Sequence, residues 1–171
     1  EEYIDYLNKE ISQYISNIIV HETNEKDSTA ISAYFKITGN IERIGDHAAD
    51  IAEIIPHLVT VRKEGDPAVS QAIAMGKKAH QMILDALDAL TAEDENAARR
   101  VIAADDEVDY DFNAIKHQLA QEIAEDPGKV DAALDLLMVI KYLERIGDHA
   151  VNVAEWVQFV RTGRYKDESM F

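Results

Sequence analysis

Two short acidic motifs carry the chemistry this sequence could perform. Glu42 and Asp46 lie four residues apart in Ile41-Glu42-Arg43-Ile44-Gly45-Asp46-His47-Ala48, and Glu144 and Asp148 keep that spacing in Leu143-Glu144-Arg145-Ile146-Gly147-Asp148-His149-Ala150. Four residues is just over one helical turn, so each pair stacks on a single helix face. A weaker echo sets Glu1 four residues before Asp5, and Asp105 four before Asp109. Like charges at this spacing repel by roughly 0.2–0.5 kcal/mol per pair. A cation offsets that repulsion, and carboxylate oxygens suit iron, manganese, magnesium, calcium or zinc. The alternative is a solvated acidic face, with Arg43 and Arg145 neutralising part of it. On the residues alone both readings stand.

Other chemistries find no support. His47 and His149 each follow an Asp directly, five residues after the Glu, and flank the acid face as helix-contact or surface residues. A ferritin-like di-iron site needs Glu-x-x-His, and a five-residue spacing turns the ring to another face. There is no His-Glu-x-x-His, no phosphate-cradling glycine loop and no nucleophile elbow. Cysteine is absent, which excludes disulfides, thiolate catalysis and sulfur-ligated zinc. The expectation is a protein that is not an enzyme.

Charge narrows the partners. The 171 residues carry 17 Lys and Arg against 33 Asp and Glu, a formal charge of −16. Such a chain is repelled by nucleic acid and by anionic membrane surfaces, and attracts cations or a basic partner. No apolar run reaches the roughly 18 residues that span a bilayer, so direct membrane insertion is not expected.

The elements that must position the acids are helices. Ile4, Leu7, Ile11, Ile15 and Ile18 mark a first helix over residues 1–21, followed by a polar turn. A long second helix runs to about Pro56 with the stripe Ile37, Ile41, Ile44, Ala48, Ile51 and Ile55. Gly65-Asp66-Pro67 starts a third, with Asp as cap and Pro at the first helical position. A fourth helix begins near Asp94 and ends at about Glu125; Asp126-Pro127-Gly128 then separates it from a fifth, from about Lys129 to Arg161. No period-two alternation occurs, so the fold class is all-α, an antiparallel helical bundle. On a helical wheel Glu42, Asp46, Asp50 and Glu53 fall nearly opposite the apolar stripe, which predicts an outward acidic surface. Gly45 and Gly147, each costing roughly 1 kcal/mol mid-helix, predict a close helix crossing.

The two motifs recur at an offset of 102 residues and the weaker echo at 104, in the same order. A duplicated unit follows: residues 1–91 as a three-helix repeat and residues 92–171 as a second repeat of two helices, its sixth helix missing or truncated. If the first two helices of each repeat are neighbours, four carboxylates converge.

At the two Glu-Arg-Ile-Gly-Asp-His-Ala segments, and over Leu143–Trp156, the chain resembles the PhoU family of phosphate-transport regulators. The resemblance implies tandem three-helix repeats and a non-catalytic regulatory role in phosphate transport. It places the family's metal-cluster motifs on Glu42 and Asp46, Glu144 and Asp148, Asp105 and Asp109, and Glu1 and Asp5. Multinuclear iron or zinc is the metal it implies, and some members bind none. Tyr6-Leu7-Asn8-Lys9-Glu10-Ile11-Ser12-Gln13-Tyr14-Ile15 is similar to the PhoU-like cytoplasmic tail of bacterial sodium/phosphate cotransporters. The chain opens on Glu1 with the helical pattern already running, and is expected to be cut from a longer protein. The leading expectation is such a tail, cytoplasmic and tethered to a transporter membrane domain. The alternatives are a stand-alone regulator of a phosphate transporter complex and a metal-free acidic adaptor. A second copy of the chain is a further candidate partner.

Overall fold

Short polar residues set the helix ends. The computed structural model describes residues 2–19 and 25–162. Within them lie α1 (Glu2–Ile19), α2 (Glu25–Val61), α3 (Pro67–Ala92), α4 (Glu95–Glu125) and α5 (Val130–Thr162), and no strand. The Asp66 carboxylate accepts from the Ala68 and Val69 amides at 2.9 and 3.2 Å, satisfying two donors that the first turn of α3 leaves open. Asp94 does the same for α4, accepting from Asn96 and Ala97. Between them Glu93 takes left-handed backbone at φ 50, which stops α3 and reverses the chain. A 3-10 turn at Pro127–Lys129 joins α4 to α5.

One boundary differs from the expected one. α2 does not stop at Pro56 but continues to Val61, with the proline inside the helix. The last turn is anchored instead by burial of Leu58 and by the side chain of Arg62 just beyond it. That anchoring outweighs the single backbone hydrogen bond a proline removes.

Packing divides the helices differently from their expected grouping. Among the described residues α1 packs against α2 alone, α2 also against α5, and α3 against both α4 and α5. Chain order groups α3 with α1 and α2 in a unit spanning residues 1–91. Its stripe of Ala68, Ala72, Met75, Ala79, Met82, Ala86 and Ala89 is buried, and the helices it packs on are α4 and α5. Small residues at that spacing let three helices approach closely, and the centre of the core lies among them, around Met75, Val108, Ile115, Leu136 and Ile140. The motif-bearing helices α2 and α5 meet along their length and join the halves.

Candidate functional site

The site is built on two helix pairs, α1 with α2 and α4 with α5. In each, the weaker acidic echo on the shorter helix comes to lie against the Glu-x-x-x-Asp motif on the longer one. Two glycines permit this. A Cβ on Gly147 would stand 3.2 Å from Asp105 Oδ1 and 3.5 Å from Val108 Cγ1, and a Cβ on Gly45 would stand 2.8 Å from Ile4 Cδ1. The predicted close crossing is therefore the approach of α1 to α2 and of α4 to α5.

In the first pair, carboxylate oxygens of Asp5, Glu42 and Asp46 all lie within 4.8 Å of one another. Arg43 reaches Asp46 at 3.1 Å and Glu42 at 3.9 Å, supplying partial neutralisation. Glu1 lies outside the described residues. In the second pair, Asp105, Asp109, Glu144 and Asp148 form one electrostatic cluster. Burial, then repulsion from Asp109, Asp148, Asp106 and Glu144, pushes the Asp105 carboxyl up to about 6. Burial, then Glu144, Asp148 and Asp106, raises Asp109 as well, with Lys141 opposing. Asp105 Oδ1 is buried without a hydrogen-bond partner. Lys141 contacts Glu144, and Arg145 reaches Asp148 at 3.3 Å.

The acids are thus not on an outward face. The wheel identified one apolar stripe per helix, but α2 and α5 each have two packed sides, one toward the other and one toward α1 or α4. Glu42, Asp46, Glu144 and Asp148 are all partly buried along the second side. Asp109 and Asp5 are the exposed members.

The two clusters are not identical. Lys141 lies 102 residues after Gly39, at the same distance before its motif, so the second cluster contains a cation that the first lacks. Lys141 also lies over the Phe112 ring, 5.1 Å from its centroid. Asp106 and Lys141 are members that sequence reasoning missed. The only available signal was their position one helical turn or less from the motif residues.

His47 and His149 do not point at the carboxylates as a ligand pair. They stack on each other across the α2–α5 contact, with centroids 5.5 Å apart. Each takes a neighbour from the other motif-bearing helix, at positions 102 residues apart: Nδ1 of His149 pairs with Asn40 Oδ1 at 2.9 Å, and His47 stacks on Tyr142 at 5.4 Å. Burial, then the charges of His47, Arg43 and Arg145, holds His149 down to about 4. His47 Nδ1 stands 3.5 Å from Asp50 Oδ2, beyond good hydrogen-bond length.

The donor set fits a hard or borderline cation. Three oxygens in one cluster lie within reach of a single ion, and in the other a buried carboxylate oxygen lacks any donor while four acids repel it. Among the described residues no helix is long and apolar enough to cross a membrane.

Comparison with known proteins agrees with this fold. The family model described as PhoU domain matches residues 1–55 and 73–157. The phosphate-specific transport system accessory protein PhoU homolog of Clostridium acetobutylicum is 36% identical over 169 residues, 98% of this chain and 76% of that protein. Its counterpart in Caulobacter vibrioides is 36% identical over 167 residues, 95% of this chain and 71% of that one. Among solved structures, PhoU from Pseudomonas aeruginosa superposes with a TM-score of 0.90 at 27% identity, covering 95% of this chain and 78% of that chain. The phosphate transport system regulatory protein PhoU from Streptococcus pneumoniae shares the fold, with a TM-score of 0.75 at 24% identity.

Proposed function

The chain belongs to the PhoU family, and from that premise we propose that it is a non-catalytic accessory domain regulating a phosphate-specific transport system through protein contacts. The observation that carries this is the match to accessory proteins along nearly the whole chain. Those relatives bear the name of phosphate-specific transport system accessory proteins, so of the two expectations the stand-alone regulator is preferred to a cotransporter tail. Its partner is then the transporter complex, met at the cytoplasmic face of the membrane.

The carboxylate clusters fit this role as metal sites. Asp5, Glu42 and Asp46 would hold one ion, and Asp105, Asp109, Glu144 and Asp148 another group, with iron or zinc as the family-implied metals. A bound multivalent cation supplies local positive charge on a surface of net charge −16, so that phosphate or a phosphorylated partner can approach. The protein's part is to hold like charges together through close helix packing, so that the cation is required to relieve them.

Deletion of the gene in its own host, followed by measurement of phosphate uptake, tests the regulatory role. Uptake should change on deletion and return with the wild-type chain. Unaltered uptake in the deletion strain at both low and high external phosphate overturns it.

A further inference from the structure

The two acidic clusters share a plan, which makes Lys141 stand out. Shifting α2 by 102 residues superposes the Glu-x-x-x-Asp motifs, and shifting α1 by 104 pairs Asp5 with Asp109, Ile4 with Val108 and Ile11 with Ile115. Each motif carries its own arginine at the same place. Arg43 reaches Asp46 at 3.1 Å and Arg145 reaches Asp148 at 3.3 Å, so the arginines balance between the clusters.

Lys141 has no such counterpart. Its ammonium donates to Glu144 Oε2 and lies over the Phe112 ring, 5.1 Å from the centroid, so it is held from two sides. The corresponding places in the first cluster are Gly39 and Asn8, which supply neither a positive charge nor an aromatic face. The acids differ accordingly. Oxygens of Asp5, Glu42 and Asp46 lie within 4.8 Å of one another, and among the described residues no other three His, Asp or Glu side chains converge in this way. In the second cluster a Glu144 oxygen is turned to the ammonium instead. An ion entering there must draw Glu144 away from Lys141 and accept that positive charge beside it. Among the described residues no lysine pairs with Asp5, Glu42 or Asp46, so an ion entering the first cluster displaces no ammonium.

Resting on the reading of both clusters as metal sites, we propose that Lys141 is a built-in competitor at the second one. A multivalent cation then fills the site of Asp5, Glu42 and Asp46 first, and the site of Asp105, Asp109, Glu144 and Asp148 only at higher concentration. The effect is local and electrostatic. A positive charge touching a ligand carboxylate opposes an incoming cation at close range, where partial burial keeps screening weak. The chain thereby gains a half-loaded state over a range of cation concentration, and one side chain sets the width of that range.

Zinc titration of the chelated 171-residue chain, read by competition with a fluorescent zinc indicator, tests this. Glu144→Gln with Asp148→Asn leaves the first cluster alone, and Glu42→Gln with Asp46→Asn leaves the second. The first alone should bind zinc about tenfold or more tighter than the second alone. In the chain that keeps only the second cluster, Lys141→Gln should tighten binding about tenfold or more, whereas Lys141→Arg, which keeps the charge, should not. In the chain that keeps only the first, Gly39→Lys should weaken binding about as much. No atom lies within 4 Å of a Cβ at Gly39, and the Lys141 side chain is 38% exposed, so these variants should keep the wild-type circular dichroism. Equal affinity of the two single-cluster chains overturns the proposal while leaving the metal reading in place. A Lys141→Gln chain whose second cluster binds no tighter also overturns it. Zinc bound by neither single-cluster chain overturns the metal reading, and this proposal with it.

Discussion

Asp105 Oδ1 lies 3.2 Å from the point that a Cβ on Gly147 would occupy. The glycine of one motif thus makes room for the acid of another, on the neighbouring helix. The equivalent Gly45 faces Ile4, whose Cδ1 would stand 2.8 Å and Cγ2 3.4 Å from such a Cβ; the close atom is the far end of a flexible side chain that can swing aside. Replacing either glycine by alanine gains about 1 kcal/mol of helix propensity. Gly45→Ala should therefore lie within about 1 kcal/mol of wild type, on the stabilising side. Gly147→Ala must displace a crowded, buried carboxylate and should cost about 1–2 kcal/mol net. Urea unfolding of the metal-free proteins measures both. A Gly147→Ala chain as stable as Gly45→Ala would show that the α4–α5 crossing is not constrained there.

The pH dependence of the metal-free protein should contain two opposed contributions. Asp105 is raised from 3.8 to about 6, so between those values the folded state binds more protons, and stability falls as pH rises. Asp109, also raised, adds to the same side. His149 is lowered from 6.5 to about 4, so the unfolded state binds more protons between those values, and stability rises with pH. From pH 4 to 6 the two oppose each other, each on the order of 1–2 kcal/mol after solvent screening. Asp105→Asn should steepen the gain in stability on raising pH, and His149→Phe, which keeps a ring against His47, should turn it into a loss. Parallel stability profiles for the two variants would contradict both assignments.

Arg62 should be the most costly single position outside the clusters. Its side chain is 7% exposed, pairs with Asp66 at 3.0 Å and Glu122 at 2.9 Å, and reaches the Ala132 carbonyl at 3.4 Å. It ties the end of α2 to the cap of α3 and to α4 and α5. Burial alone would raise Asp66, but the Arg62 hydrogen bond and the capped amides lower it overall. Arg62→Ala strands two carboxylates and should cost about 3–5 kcal/mol. Arg62→Lys should restore less than half of that, since one ammonium does not reproduce the fork. Thermal unfolding at pH 7 reads the order wild type, Lys, Ala, and near-equal stability of wild type and Arg62→Ala contradicts the role.

Much of this architecture is legible in the residues, and the failures have a common cause. Asp66 before Pro67 and Asp94 before Glu95 announce helix starts because a short carboxylate can reach two amides only there. The two echoes put an acidic pair on each of two helices in both halves, but that Asp105 meets Glu144 and Asp148 depends on those helices being neighbours, which the spacing leaves open. A helical wheel turns the acids outward because it assumes one packed side, whereas α2 and α5 have two. Chain order suggests α2 as the partner of α3, while the alanine and methionine stripe of α3 fits α4 and α5 equally well. The His47–His149 stack and the Arg62 anchor depend on residues far apart in the chain, and no local spacing encodes them.

Metal content is the most direct test of the proposed site. Chain purified without chelator should contain iron or zinc by elemental analysis, and after chelation should rebind more than one ion per chain in calorimetric titration. Glu42→Gln with Asp46→Asn should abolish the first site, and Glu144→Gln with Asp148→Asn the second, leaving about half the stoichiometry in each case. Combining all four substitutions should remove binding while the circular dichroism stays helical. Native chain without metal, or a fourfold variant that binds as much as wild type, would contradict the assignment of these carboxylates.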